Sequence, residues 1–372
     1  MGVKESERLE ETPLKLCIVL TTRGSYGKFK RLIHLARKDP FFKVQIVVGG
    51  ELILQDRVTS LFDITPDYIC YFNIAGDTRN AMAKSTGAAI QEFCNAFETL
   101  KPDIVMLVGD RFETLGAATA AYIQGIKIAH LEGGEKSGTL DDKFRNVISE
   151  FTTFHFPCTI KSKDFLSSRY KGLIKNVGAT SLDSMFEIKS DQALEEFQET
   201  TGIGPIIDIS KPFLLVIYHP DTKNLIGTKY EIGELINAID NIKMPTIWLN
   251  SNIDAGSDIV SKELRIYRDQ KNPSHVRFMK GLPIEYFSHL LWAASCIVGN
   301  SSAGIRESSF RGTPSVNIGL RQVSRETDKN VLNVITGIEE AIRTQLKSRY
   351  GSSLLYGDGL ASKRILEALK CT

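Results

Sequence analysis

Carboxylates recur in this chain where apolar runs end. Asp110 follows the run IVMLVG, Glu132 follows IKIAHL, and Asp141 follows GGEKSGTL. If those runs are neighbouring strands of an open sheet, the acids collect at the carboxyl ends of the strands, where such sheets bind ligands. Three acids gathered there suit general acid and base work on a sugar, because burial and mutual repulsion push their pKa values apart. Two of them also have a plainer reading. Asp110 stands just before a helix-like stretch and Asp141 at the start of another, and an aspartate in either place can cap the helix. Glu132, beside Gly133 and Gly134, reads as a carboxylate presented to a ligand by a tight loop.

Groups that could meet an anion sit at other run ends. The first run leads into Thr21-Thr22-Arg23-Gly24-Ser25, where Arg23 can face an anion while Gly24 and Gly27 let the backbone approach. LLVIY ends in His219-Pro220, a place for a phosphate contact, although a lone histidine is more often structural. TIWLN leads to the polar stretch Asn250–Ser257. SCIVGN gives way to Ser301-Ser302-Ala303-Gly304-Ile305-Arg306-Glu307, small residues opening a helix whose N–H groups would hold a diphosphate. Glu307 is placed to reach ribose hydroxyls. Helix capping and close packing are the alternative for this segment. There is no GxGxxG after the first run and no Walker A motif, which argues against a dinucleotide or P-loop site.

The elements that must position these groups follow from the hydrophobic pattern. KLCIVL, KVQIVVG, IVMLVGD and IKIAHLE are apolar and β-rich throughout, as buried parallel strands are. Helical stretches are expected at Lys28–Lys38, Ala81–Thr99, Phe112–Gln124, Lys143–Thr152 and Lys161–Tyr170. This alternation predicts an α/β fold with a doubly wound parallel sheet. The acidic stretch Ser190–Asp208 reads as a connection. The rhythm then restarts in PFLLVIYHP, PTIWLN, HVRFMKG, SCIVGN and PSVNIG, predicting a second α/β domain. A last helix, Ala361–Lys370, is expected to pack back on the first.

Composition sets bounds. With 372 residues, two domains are the natural expectation. A net charge of +2 offers no basic field for nucleic acid or a membrane surface, and no apolar run is long enough to span a bilayer. Cys17, Cys70, Cys94, Cys158, Cys296 and Cys371 include no CxxC pair, so reduced thiols are expected and neither disulfides nor a metal site. The charged opening MGVKESERLEET has no signal-peptide core, so a cytoplasmic protein is expected. Gly2 with Ser6 matches the myristoylation pattern, but a polar tail is the plainer reading.

Taken together, these residues resemble the hydrolysing UDP-N-acetylglucosamine 2-epimerases of sialic and other nonulosonic acid pathways. The similar segments are KPDIVMLVGDRFETL, HLEGGEKSGTLDDKFR, SNIDAGS, VGNSSAGIRE, GTPSVNIGLRQVSRETDKNV and LYGDG, in matching order and spacing. The resemblance implies a glycosyltransferase-B-like fold of two Rossmann-like domains, 13–185 and 186–355, with 356–372 returning to the first. It implies an active site in the cleft between them. The family's catalytic carboxylates fall on Asp110, Glu132 and Asp141, with His219 beside them. Its UDP contacts fall on Arg23, Arg111, His219, Asn252, Leu282 through the backbone, Ser301, Ser302, Glu307 and Arg321, and Gly27 stands where some members use serine.

The implied reaction removes the proton at sugar C2 and expels UDP from C1. Water then adds to the 2-acetamidoglucal to give N-acetylmannosamine, with no cofactor and no metal, in a homodimer or homotetramer. RQVSRET favours the hydrolysing branch, since the other branch typically carries a TERPE-type segment there. Two departures concern the sugar end: TTRGSYGK replaces the family's Arg-Ala-Asp-Tyr loop, and Asn146 replaces a histidine. The same chemistry on UDP-2,4-diacetamido-2,4,6-trideoxyglucose, on the way to legionaminic acid, is therefore the near alternative. A glycosyltransferase of the same fold is the alternative of another class, and a UDP-sugar sensor is a third.

Overall fold

In a computed structural model the described residues are 12–54, 64–76, 78–138, 141–186, 190–251, 255–279 and 282–371. Asn252 and the Gly2 pattern lie outside them. The first sheet contains β1 (Leu14–Leu20), β2 (Phe42–Gly49), β3 (Tyr68–Cys70), β4 (Ile104–Val108), β5 (Lys127–Leu131), β6 (Phe154–Phe156) and β7 (Leu173–Ile174), in the order β3-β2-β1-β4-β5-β6-β7. All its neighbours pair in parallel. Its strands read as unbroken apolar runs because both faces are covered. Leu16, Ile18 and Leu20 of β1 enter one core, and Cys17 and Val19 enter the core on the other face. The covering helices are α1 (Arg23–Arg37), α2 (Arg79–Leu100), α3 (Phe112–Ile123), α4 (Asp141–Phe151) and α5 (Ile160–Ser167).

The second sheet contains β8 (Gly202–Ile203), β9 (Leu214–Ile217), β10 (Thr246–Leu249), β11 (Val276–Met279), β12 (Cys296–Gly299), β13 (Ser315–Ile318) and β14 (Val331–Val334), in the order β14-β13-β12-β9-β10-β11-β8. Only β8 runs antiparallel to its neighbour among the described strands. Alternate residues of β9 again serve opposite cores, Leu214 and Val216 against Leu215 and Ile217. Around it lie α6 (Asp191–Thr201), α7 (Leu225–Ile242), α8 (Ser257–Lys271), α9 (Ile284–Ala293), α10 (Arg306–Arg311) and α11 (Ile338–Leu346). The chain is thus two parallel-sheet α/β domains.

Two expectations need correction. The acidic stretch Ser190–Asp208 is not a plain connection. Ser190 caps α6 by accepting from the Ala193 amide, Leu194 is buried beneath it, and the buried Gln198 amide bonds both backbone groups of Ile207. Its few apolar residues were too sparse to stand out against the acids. The first helix also starts earlier than Lys28. Thr22 caps α1 at Arg23, accepting from the Ser25 amide while the Ser25 hydroxyl accepts from the Thr22 amide. Ser25 is therefore a capping-box residue, and Gly24 and Gly27 lie inside the helix.

The chain leaves the first domain through a 3-10 turn, Thr180–Ser184, and returns beside it. The two passes touch at Gly178 and Gly357, whose φ values are 91° and 114°. A Cβ on Gly357 would lie 2.9 Å from Gly178 Cα, so a side chain at either position would part the strands. The LYGDG segment serves this crossing. Beyond it, α12 (Ala361–Leu369) packs on α1, adding Ile365, Leu366 and Leu369 to the first domain's core. Asp183 of the turn accepts from the first amides of α12, Ala361 at 3.0 Å and Ser362 at 2.5 Å.

Candidate active site

Both sheets reverse their winding once. In the first, strands leave β1 in one direction and β4 in the other; in the second, β12 and β9 play the same part. Open α/β sheets bind ligands in the crevice outside such points. Here the two crevices face each other across a cleft of about 310 Å³. From the first domain it is lined by Arg23, Gly27, Lys28, Asp110, Arg111 and Asp141. From the second come His219, Leu282, Ser301, Ser302, Arg306, Glu307 and Arg321. Of the described residues expected to form a site, all lie on this wall except Glu132.

Asp110 does not cap α3. The N-cap position is Arg111, which makes no side-chain cap, and Asp110 instead pairs with Arg145 of α4. The buried Arg145 also bonds Asp142 at 2.7 Å and the Glu135 carbonyl at 2.6 Å. Burial pulls its guanidinium down to about 9. Asp142 accepts from the Ser137 amide and hydroxyl and the Gly138 amide, each at 2.8 Å, holding Ser137 and Gly138 against the start of α4. Asp141 itself opens α4 and faces the cleft. Arg145 therefore orients one cleft carboxylate directly and steadies the loop beside the other.

Glu132 is not presented to the open cleft. It is 5% exposed, with a left-handed backbone (φ 65°), and sits behind Lys28 and Arg306. Lys28 Nζ donates to its Oε2 at 2.7 Å, and Arg306 Nη1 lies 2.8 Å from its Oε1. Burial alone would raise the Glu132 carboxyl, but these two cations more than offset it and hold the group well below the usual carboxylate range. For Lys28 the balance reverses: burial pulls the ammonium down further than Glu132 raises it. Behind them Glu135 pairs with Arg325 and lies 3.6 Å from Arg306.

The rest of the cleft wall is equally built. Asn300, following β12, accepts from the His219 amide at 2.7 Å and donates to the His219 carbonyl at 2.8 Å, fixing the end of β9. Arg321 donates to the Asn300 carbonyl at 3.0 Å. Gly299 makes this junction possible: its φ is 140°, and a Cβ there would sit 1.9 Å from the Ile217 carbonyl oxygen. Arg111 makes a two-point bond to the buried Glu113, at 3.0 and 2.9 Å. Glu307 is 5% exposed, and its Oε2 has no hydrogen-bond partner among the described residues.

Lys28, Arg145, Asn300 and Arg306 were not singled out from the sequence. Arg145 had a local signal, since it stands three residues after Asp142 on one helix face. Lys28 had none, because a lysine in an amphipathic helix reads as solvated.

A parallel α/β pair with Asp110 and Asp141 on one wall of a shared cleft, Ser301 and Ser302 on the other and arginines on both defines a class: two-domain α/β proteins with a ligand cleft between paired switch points. The comparisons narrow it. The profile of the family described as UDP-N-acetylglucosamine 2-epimerase matches residues 34–370, so the chain belongs to that family. The UDP-N,N'-diacetylbacillosamine 2-epimerase (hydrolyzing) of Legionella pneumophila is 31% identical, covering 96% of this chain and 95% of its own length. The GDP/UDP-N,N'-diacetylbacillosamine 2-epimerase (hydrolyzing) of Campylobacter jejuni is 30% identical over 86% and 84%. In fold, the chain matches Methanocaldococcus jannaschii UDP-GlcNAc 2-epimerase, solved with UDP-GlcNAc and UDP, at a TM-score of 0.80. That match has 19% identity and covers 96% and 100% of the two chains.

Proposed function

We propose that this protein is a hydrolysing UDP-N-acetylglucosamine 2-epimerase, converting UDP-GlcNAc and water to N-acetylmannosamine and UDP. One observation carries the reading: carboxylates from one domain and a hydroxyl- and cation-lined wall from the other meet in a single cleft. Arg23, His219, Arg321 and the Ser301 and Ser302 hydroxyls take the diphosphate, and Glu307 takes the ribose. Preorganised cations stabilise the charge that develops on UDP as it departs.

The C2–H bond breaks, its electron pair forms the C1–C2 double bond, and the C1–O bond breaks to release UDP. Water then adds at C1 while a proton returns to C2 on the opposite face. Asp110 and Asp141, the carboxylates on the cleft wall, handle these protons. Glu132 is the third acid of the set, held behind the wall by Lys28 and Arg306. The RQVSRET segment and the hydrolysing relatives support water as the final acceptor.

A second reading has its own support. Both relatives above are named for a diacetylated sugar, which favours UDP-2,4-diacetamido-2,4,6-trideoxyglucose as the substrate. Incubation with each nucleotide sugar, following UDP and free sugar by chromatography, tests both. Turnover of UDP-GlcNAc supports the first reading and exclusive turnover of the diacetamido sugar the second. UDP release only with an added acceptor would mean a glycosyltransferase.

A further inference from the structure

Arg306 belongs to neither set of groups that the reaction requires, yet it touches both. It opens α10 in the second domain and is 2% exposed. Its Nη2 donates to Ser302 Oγ at 3.1 Å, and its Nη1 faces Glu132 of the first domain. Nη1 is engaged by the Glu132 carboxylate at 2.8 Å, while Nε of Arg306 has no acceptor among the described residues. A buried guanidinium with an unspent donor beside a hydroxyl that faces the cleft is poised for a second anion.

We propose that Arg306 is a binding and positioning residue that answers to the nucleotide. When a diphosphate settles at Ser301 and Ser302, the guanidinium turns its unspent donor to a phosphate oxygen and loosens from Glu132. The carboxylate is then held by Lys28 alone and is free to swing toward the sugar. While the two are paired Arg306 masks Glu132, so the complete set of acids is assembled only once a substrate diphosphate has drawn Arg306 away. This rests on the reading of the cleft as a UDP-sugar site.

The coupling has a sign that a structural role would not produce. Glu132 and the diphosphate compete for one cation, so removing the Glu132 charge strengthens UDP binding, and only while Arg306 is present. The experiment is a double-mutant cycle on UDP affinity by calorimetry, with wild type, Glu132→Gln, Arg306→Gln and the double variant. Thermal melts check folding, and Arg306→Lys replaces Arg306→Gln if the latter does not fold. Arg306→Gln is expected to weaken UDP about tenfold, as loss of a charge-assisted contact does. Glu132→Gln is expected to tighten UDP severalfold, and the double variant to match Arg306→Gln. Unchanged or weaker UDP binding in Glu132→Gln, or the same gain without Arg306, would overturn the proposal. A folded wild type that binds no UDP would instead overturn the reading of the cleft.

Discussion

Lys28 Nζ lies 2.7 Å from Glu132 Oε2, joining the second turn of α1 to the end of β5 across the first domain's topological switch point. This pair places an ammonium on the cleft wall and a carboxylate behind it. Lys28→Met would leave Glu132 with Arg306 alone in a buried setting. We expect a loss of about 2 kcal/mol of stability, as for a buried charge deprived of one partner, and a fall in kcat of about 100-fold or more. Chemical denaturation and steady-state kinetics check this. Glu132→Gln in the same chain should recover much of the stability and none of the activity. A Lys28→Met enzyme with wild-type kcat would remove the pair from the account.

Asp110 is oriented by Arg145 and is not itself among the proposed nucleotide contacts. Asp110→Asn should therefore keep UDP affinity within about threefold while kcat falls about 1,000-fold, the pattern of a group used in the transition state. Calorimetry with UDP and single-turnover assays separate the two effects. Equal losses of affinity and rate would make Asp110 structural.

Asn300 ties β12 to both backbone groups of His219 and supports Arg321. Asn300→Ala removes two buried hydrogen bonds and leaves their partners unpaired. The expected result is a destabilisation of about 2–3 kcal/mol and about tenfold weaker UDP binding, with kcat at saturation changed much less. A variant with unchanged UDP affinity would mean that His219 does not hold the nucleotide.

His130 and His155 are fully buried cross-strand neighbours on β5 and β6. His155 stacks on Tyr170, and neither of its ring nitrogens has a partner among the described residues. Burial lowers both imidazoles to about 4; the Gly109 carbonyl only partly opposes this at His130. The unfolded chain takes up these protons below about pH 6.5 and the folded chain does not. Stability is therefore full above that pH and falls as pH drops toward 4, by about 1.4 kcal/mol per pH unit for each histidine. His155→Phe keeps the ring stack and should flatten the slope by one proton in denaturation between pH 7 and 5. An unchanged slope would contradict this origin of acid sensitivity.

The fold was legible because burial on both sheet faces writes itself into the sequence as unbroken apolar runs. The run ends then located Asp110, Arg23, His219 and Ser301 without further help. What stayed hidden depends on partners far apart in sequence. Nothing local says that Lys28 meets Glu132 or that Arg306 crosses between domains, because such pairings exist only after both sheets close. Glu132 was legible as a site residue but not in its orientation, which those two cations determine. Helix α6 was missed for the opposite reason: its acidic exposed face outweighed the two or three residues it buries.

The most direct test of the proposed function is proton NMR of the enzyme with UDP-N-acetylglucosamine in D₂O. The account predicts release of UDP together with N-acetylmannosamine carrying deuterium at C2. UDP release with the C2 proton retained would contradict it, because the cleft would then cleave the sugar–phosphate bond without removing the C2 proton.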